Sequence, residues 1–145
     1  MRPLQLGGGL SLALPLAEAA AAPIAPLIGP AQELRIDGQP ISATTRAQDS
    51  PTLSWTPPAH GTAAGYGIGI LLLYADQSGG ATLSEIAEFI TIEPRVQVPP
   101  GILMGGQTYA VAVRAIAGAM DLRGAPNRFA GAHGQSVVLS DPFTR

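Results

Sequence analysis

Cysteine is absent from this 145-residue chain, and so is lysine. The first absence removes disulfide frameworks, thiolate metal centres and cysteine nucleophiles together. The second leaves eight arginines, spread singly along the chain, against ten carboxylates and a formal net charge of −2. No basic block exists that could displace the counterions of a run of phosphates, so nucleic acid is not an expected partner. Histidine is scarce too. His60 and His133 are the only two, each in a glycine-rich stretch with no second histidine or acid at ligand spacing, whereas zinc needs three or four converging donors. No metal and no cofactor is expected. Charged residues are 12% of the chain and hydrophobic ones 46%, which excludes a solvated disordered tail. Glycine (18) and proline (14) are plentiful, and that density of backbone punctuation argues against a mainly helical fold. The length suits one domain with one core.

Residues 1–30 differ in character from the rest. They hold seven Ala, seven Leu, five Pro and four Gly but only two charges, Arg2 and Glu18. Arg2, the leucines from Leu4 to Leu16 and the small residues after them have the order of a secretory signal. Gly7-Gly8-Gly9 and Pro15 interrupt that pattern, and the alternative is a Pro/Ala-rich linker or the trailing end of a preceding domain. A membrane span is not expected, because Pro15, Pro23, Pro26 and Pro30 would break the roughly 20-residue apolar helix that crossing requires. On either reading the segment offers no strand partner, and its deletion should leave the domain of residues 31–145 folded.

From Leu34 onward the dominant period is two, the signature of strands. Leu34-Arg35-Ile36 opens the series. Thr52-Leu53-Ser54-Trp55-Thr56 alternates polar with large apolar residues between Pro51 and Pro57-Pro58. Tyr66, Ile68, Ile70 and Leu72 share one face of a central strand, while Gly67 and Gly69 leave the other face bare. Thr82–Ile90 carries both a capping pair, Thr82 and Glu85, and a β-branched continuation, Ile90-Thr91-Ile92; between strand neighbours it reads as an exposed edge strand rather than a helix. Arg95–Val98 stops at Pro99-Pro100-Gly101, Tyr109 to Ile116 gives the longest alternation, and Ser136–Ser140 closes the series. About seven short antiparallel strands point to an all-β, immunoglobulin-like β-sandwich.

The ordered set Pro51-Thr52-Leu53-Ser54-Trp55-Thr56-Pro57-Pro58, Gly65-Tyr66, and Leu103 six residues before Tyr109 with Val111, Val113 and Ala115 resembles a fibronectin type III domain over residues 34 to 141. The resemblance implies that Trp55 sits in the core on the second strand, that Tyr66 is the third-strand tyrosine and that Tyr109 forms a tyrosine corner. Gly105 stands where the family usually has proline. The resemblance also implies a non-catalytic protein-interaction or spacer module of an extracellular or cell-envelope protein, with a protein or polysaccharide partner. The alternative is an accessory module of a larger secreted enzyme such as a polysaccharide hydrolase. A small-molecule carrier would need an internal cavity, for which a sandwich about 10 Å thick has little space.

No catalytic constellation can be assembled. Asp76-Gln77-Ser78-Gly79-Gly80 lacks the alternating acids of a calcium loop and the first glycine of a nucleophile elbow, and reads as a hairpin turn. Gly65-Tyr66-Gly67-Ile68-Gly69-Ile70 lacks the final glycine and the following helix of a dinucleotide loop. Strict alternation puts Glu85 and Glu93 on one face and Glu88 on the other, as solvated charges of an edge. The one surface singled out for binding is a long glycine-rich loop over residues 118–134, with Asp121, Arg123, Arg128 and Phe129 as its candidate residues. Asp121-Leu122-Arg123-Gly124 is not an Arg-Gly-Asp tripeptide.

Overall fold

Alternation in the sequence becomes alternation in burial. In Thr52–Thr56, Leu53 and Trp55 are buried while Thr52 and Thr56 are exposed. The same pattern recurs through a computed structural model that describes residues 9–13, 25–121 and 125–145. Its strands are β1 (Gly9–Ala13), β2 (Gln32–Ile36), β3 (Gln39–Pro40), β4 (Thr52–Thr56), β5 (Gly65–Ala75), β6 (Ala81–Thr91), β7 (Arg95–Gln97), β8 (Thr108–Asp121), β9 (Ala125–Leu139) and β10 (Phe143–Thr144). No helix occurs among the described residues.

Two antiparallel sheets form. One has the order β1-β9-β8-β5-β6, with β10 also pairing β8; the other has the order β3-β2-β4-β7. Tyr66, Ile68, Ile70, Tyr109, Val111, Val113 and Ala115 of the larger sheet meet Ile36, Leu53, Trp55, Val98 and Leu103 from the opposite side in one buried cluster. Ile68, Ile70, Val98 and Val113 are fully buried, and each such aliphatic side chain contributes about 1.5–3 kcal/mol relative to exposure. Two antiparallel sheets closed over one apolar layer make the chain an immunoglobulin-like β-sandwich.

The structure departs from the sequence reading in four places. Residues 1–30 do supply a strand: β1 pairs with β9, Gly9 opposite Val137 through Ala13 opposite His133. Ile28, also within that stretch, belongs to the core. The expectation that the stretch offers no strand partner is thereby corrected: deleting it would remove Ile28 from the core and bare the outer edge of β9. Second, Thr82–Ile90 is an edge strand, but it is not regular. Ile70 pairs with Ala87 and Leu71 with Glu85, so Ile86 bulges and the alternation resets. Glu85 thereby joins Glu88 on the outer face instead of opposing it. Third, the expected 118–134 loop is strand: β8 and β9 continue pairing to Asp121 opposite Ala125. Last, the two-residue strands β3 and β10 are too short to show a period.

Candidate functional site

The aromatic side chains organise the frame. Trp55 on β4 meets Tyr66 on β5 edge to face, ring centroids 5.1 Å apart at 66°. The indole nitrogen of Trp55 is buried without a hydrogen-bond partner. Burial raises the Tyr66 phenol above its ordinary pKa, and the nearby Trp55 N–H offsets part of that rise without reaching hydrogen-bond geometry. At the other end Tyr109, buried, accepts a hydrogen bond from the Met104 amide at 2.7 Å and directs its own hydroxyl at the Met104 carbonyl at 3.4 Å. This is the corner that the resemblance implies for Tyr109. Gly105 in place of proline does not loosen it, because Gly106 takes φ +77° and its amide donates to the Arg145 carbonyl at 2.8 Å. The Arg145 guanidinium in turn donates to the Leu103 carbonyl and pairs with Asp49 at 3.1 Å.

Polar side chains serve the frame as well. Gly67 and Gly69 do not leave a bare face, as the sequence alone suggests. Arg114 and Glu88 pair at 3.5 Å beside Gly67, and a Cβ on Gly69 would lie 2.6 Å from Glu85 Oε2. The glycines make space for an arginine and two carboxylates on the outer sheet face, which is why that stretch is a strand and not a phosphate cradle. Asp76 closes the β5–β6 hairpin as expected. Its Oδ1 accepts from the Ser78 hydroxyl at 2.6 Å, the Ser78 amide at 2.8 Å and the Gly80 amide at 2.9 Å. These donors, the Ser78 hydroxyl first, lower its pKa below the usual carboxylate value. His60 is exposed yet not merely solvated. Its Nε2–H donates to the Pro26 carbonyl at 2.9 Å while its own carbonyl accepts from the Gly29 amide at 2.9 Å, tying the β4–β5 loop to the segment before β2.

The candidate binding residues lie on an arm. β5 accompanies β8 only as far as Ile116, and β1 accompanies β9 only down to His133. Beyond those points, among the described residues, β8 and β9 pair only with each other, as a two-stranded extension of the large sheet. Met120 opposes Phe129 and Asp121 opposes Ala125, so a bulge over residues 126–128 on β9 brings Asp121, Arg128 and Phe129 to one tip. Arg123 lies outside the described residues. Sequence reasoning had the residues but not the element, because the glycines of this stretch mask its alternation.

Two apolar grooves were not foreseen. One, of about 450 Å³, runs beside the outer edge of β9 between Ile28, His60 and Val137. The other, also about 450 Å³, lies between Leu72, Ile86, Ile102 and Met104. Among the described residues no three histidines or acids converge as a metal site would, and no helix is long and apolar enough to cross a membrane.

No family model and no curated protein matches the chain. Among solved structures it is similar to the twitchin kinase region from C. elegans (Fn31-NL-kin-CRD-Ig26), at 17% identity and a TM-score of 0.48 over 82% of this chain. It is also similar to titin kinase and its flanking domains, at 20% identity and a TM-score of 0.41 over 82% of this chain. The chain spans only 17% and 16% of the lengths of those two.

Proposed function

We propose that this chain is a fibronectin type III-like module acting by contact, a non-catalytic interaction unit of an extracellular or cell-envelope protein. Three features support the family reading: Trp55 packed on Tyr66, the Tyr109 corner closed on Met104, and the order of strands in the two sheets. The observation that carries the interaction role is the β8–β9 arm. It projects past both flanking strands and gathers Asp121, Arg128 and Phe129 at its tip, a composition of the kind that anchors interfaces. Several charged groups of the sandwich itself are paired with one another, as in Glu88–Arg114, Glu93–Arg95 and Asp49–Arg145. A rigid body with one projecting hairpin suits capture of a protein or polysaccharide.

The test replaces residues 119–132 by an Asn-Gly turn and compares retention of variant and parent on cell-envelope protein and on insoluble polysaccharide. The expected result is an unchanged cooperative melt with binding lost. Full retention by the shortened chain refutes the arm as the contact, and hydrolysis of glycan or peptide by the parent refutes the non-catalytic reading.

A further inference from the structure

Among the described residues β9 is paired on one side by β8 and on the other by β1 alone, and β1 pairs with no other strand. The outer edge of β9 is therefore filled by five residues joined to the rest of the fold only through residues 14–24. The edge is shaped for them. Leu12 stands opposite Gly134, where an added Cβ would meet Leu27 Cβ at a tight 3.2 Å and Leu12 Cδ1 at an ordinary contact distance of 3.6 Å, so the glycine lets the Leu27 flank close down beside β1. Leu10 stands opposite Ser136, another small residue and one that is itself buried. The flank is fixed independently of β1. His60 holds Pro26 and Gly29 by two hydrogen bonds, and Gly61, at φ +79°, approaches the Leu27–Ile28 backbone more closely than any side chain would allow. An apolar groove runs along that flank, lined by Pro26, Ile28, His60 and Val137.

A strand edge with matched small positions and a rigid apolar flank is an acceptor for an extended segment, the arrangement of β-strand addition. Eleven residues separate Ala13 from Ala25, a chain length with a maximum reach of about 36 Å. Every ladder bond and the Leu12 seat are the same whether the strand comes from its own chain or from another, so an exchange alters the connection and not the contacts.

We propose that the outer edge of β9 is a strand-acceptor site, and that a second copy of this chain fills it by supplying its Gly9–Ala13 strand in exchange. The inference is independent of the family reading and of the β8–β9 arm.

The absence of native cysteine makes the test direct. Ser11 and Gln135 are opposite one another, and opposed residues on antiparallel strands have Cα atoms about 4.5–5.5 Å apart, within disulfide reach. The full chain carrying both Ser11→Cys and Gln135→Cys, oxidised while dilute, should close an intrachain disulfide; failure to do so overturns the acceptor edge itself. Next, an isotopically heavy Ser11→Cys chain is mixed with a light Gln135→Cys chain at high concentration in a glutathione redox buffer, and mixed-mass disulfide dimers are counted. The same heavy chain is mixed in parallel with a light Gln97→Cys chain, whose cysteine lies on β7 of the opposite sheet. Strand exchange predicts at least about a tenfold excess of the 11–135 mixed dimer over the 11–97 control, as expected for templated over random encounter. Equal yields, or no mixed dimer beside an efficient intrachain closure, overturn the exchange.

Discussion

Removing one oxygen atom, by Tyr109→Phe, isolates the corner from the core around it. The ring stays, still tilted against Phe143 at 6.1 Å and still filling its place, so no cavity opens. What is lost is the 2.7 Å bond from the Met104 amide and the long 3.4 Å bond to the Met104 carbonyl. The second is too long to matter much; the first leaves a donor without a partner, which costs about 1–3 kcal/mol where water cannot reach it. Met104 is 66% exposed, so water can replace part of that bond, and the expected loss falls in the lower half, about 1–2 kcal/mol. A domain of this size loses about 4 °C of Tm per kcal/mol, so calorimetry should show a fall of about 4–8 °C with cooperativity intact. Tyr74→Phe is the control. That tyrosine is 44% exposed with no hydrogen-bond partner among the described residues, and the substitution should move Tm by less than about 2 °C, in line with a surface change of under 0.5 kcal/mol. A Tyr109→Phe melt that matches the control refutes the idea that the phenol holds the turn.

Glycines at two positions should respond oppositely to alanine. At Gly61, φ +79° and the Ile28 Cα 2.9 Å from an added Cβ both oppose a side chain, and Gly61→Ala should cost about 2–4 kcal/mol by chemical denaturation. At Gly69 the only obstacle is the movable Glu85 carboxylate, so Gly69→Ala should be neutral or stabilising by about 0.4–1 kcal/mol. Tyr66, whose pKa is raised by burial, makes the fold sensitive to alkali. Below about pH 10 the phenol is neutral folded and unfolded alike; above it the unfolded chain ionises first, so stability falls as pH rises through the folded pKa. Tyr66→Phe should flatten that fall above about pH 10, and an unchanged slope would exclude Tyr66 as its source. Asp76→Ala should speed amide exchange at Ser78 and Gly80, and the parent should show the same loosening as pH drops below 3.8, because a depressed carboxylate pKa stabilises only while the group is ionised.

The central strands were legible because each carries one uninterrupted period: Trp55, Tyr66, Tyr109, Val111 and Val113 fall in the core their alternation assigns them. The elements that were missed obey forces a local period does not express. β1 was read as signal or linker because leucines alternating with small residues serve export and strand formation equally well, and only the pairing with β9 decides between them. The arm was hidden by glycines at 118, 124, 131 and 134, which read as loop until a partner strand is placed beside them. The pairing of Glu85 with Glu88 required knowing that Ile86 has no partner on β5, a matter of register between two strands and not of either strand's own sequence. The role of His60 left no mark in the sequence, because its partner is a backbone acceptor, the Pro26 carbonyl, 34 residues away.

Ile86 also bears on how this border of the molecule can vary. Because it stands outside the ladder, the residues before and after it keep their inward or outward assignment if it is removed: Ala87 and Ser84 still face the core, Glu88 and Glu85 still face water. A chain shortened by that single residue would fold with every other side chain in its place. It would also possess a straight rim, one residue shorter than the present eleven and stripped of its kink, the very shape on which neighbouring molecules stack into fibrils. The supernumerary isoleucine is thus dispensable to the individual domain and protective to a crowded population of them.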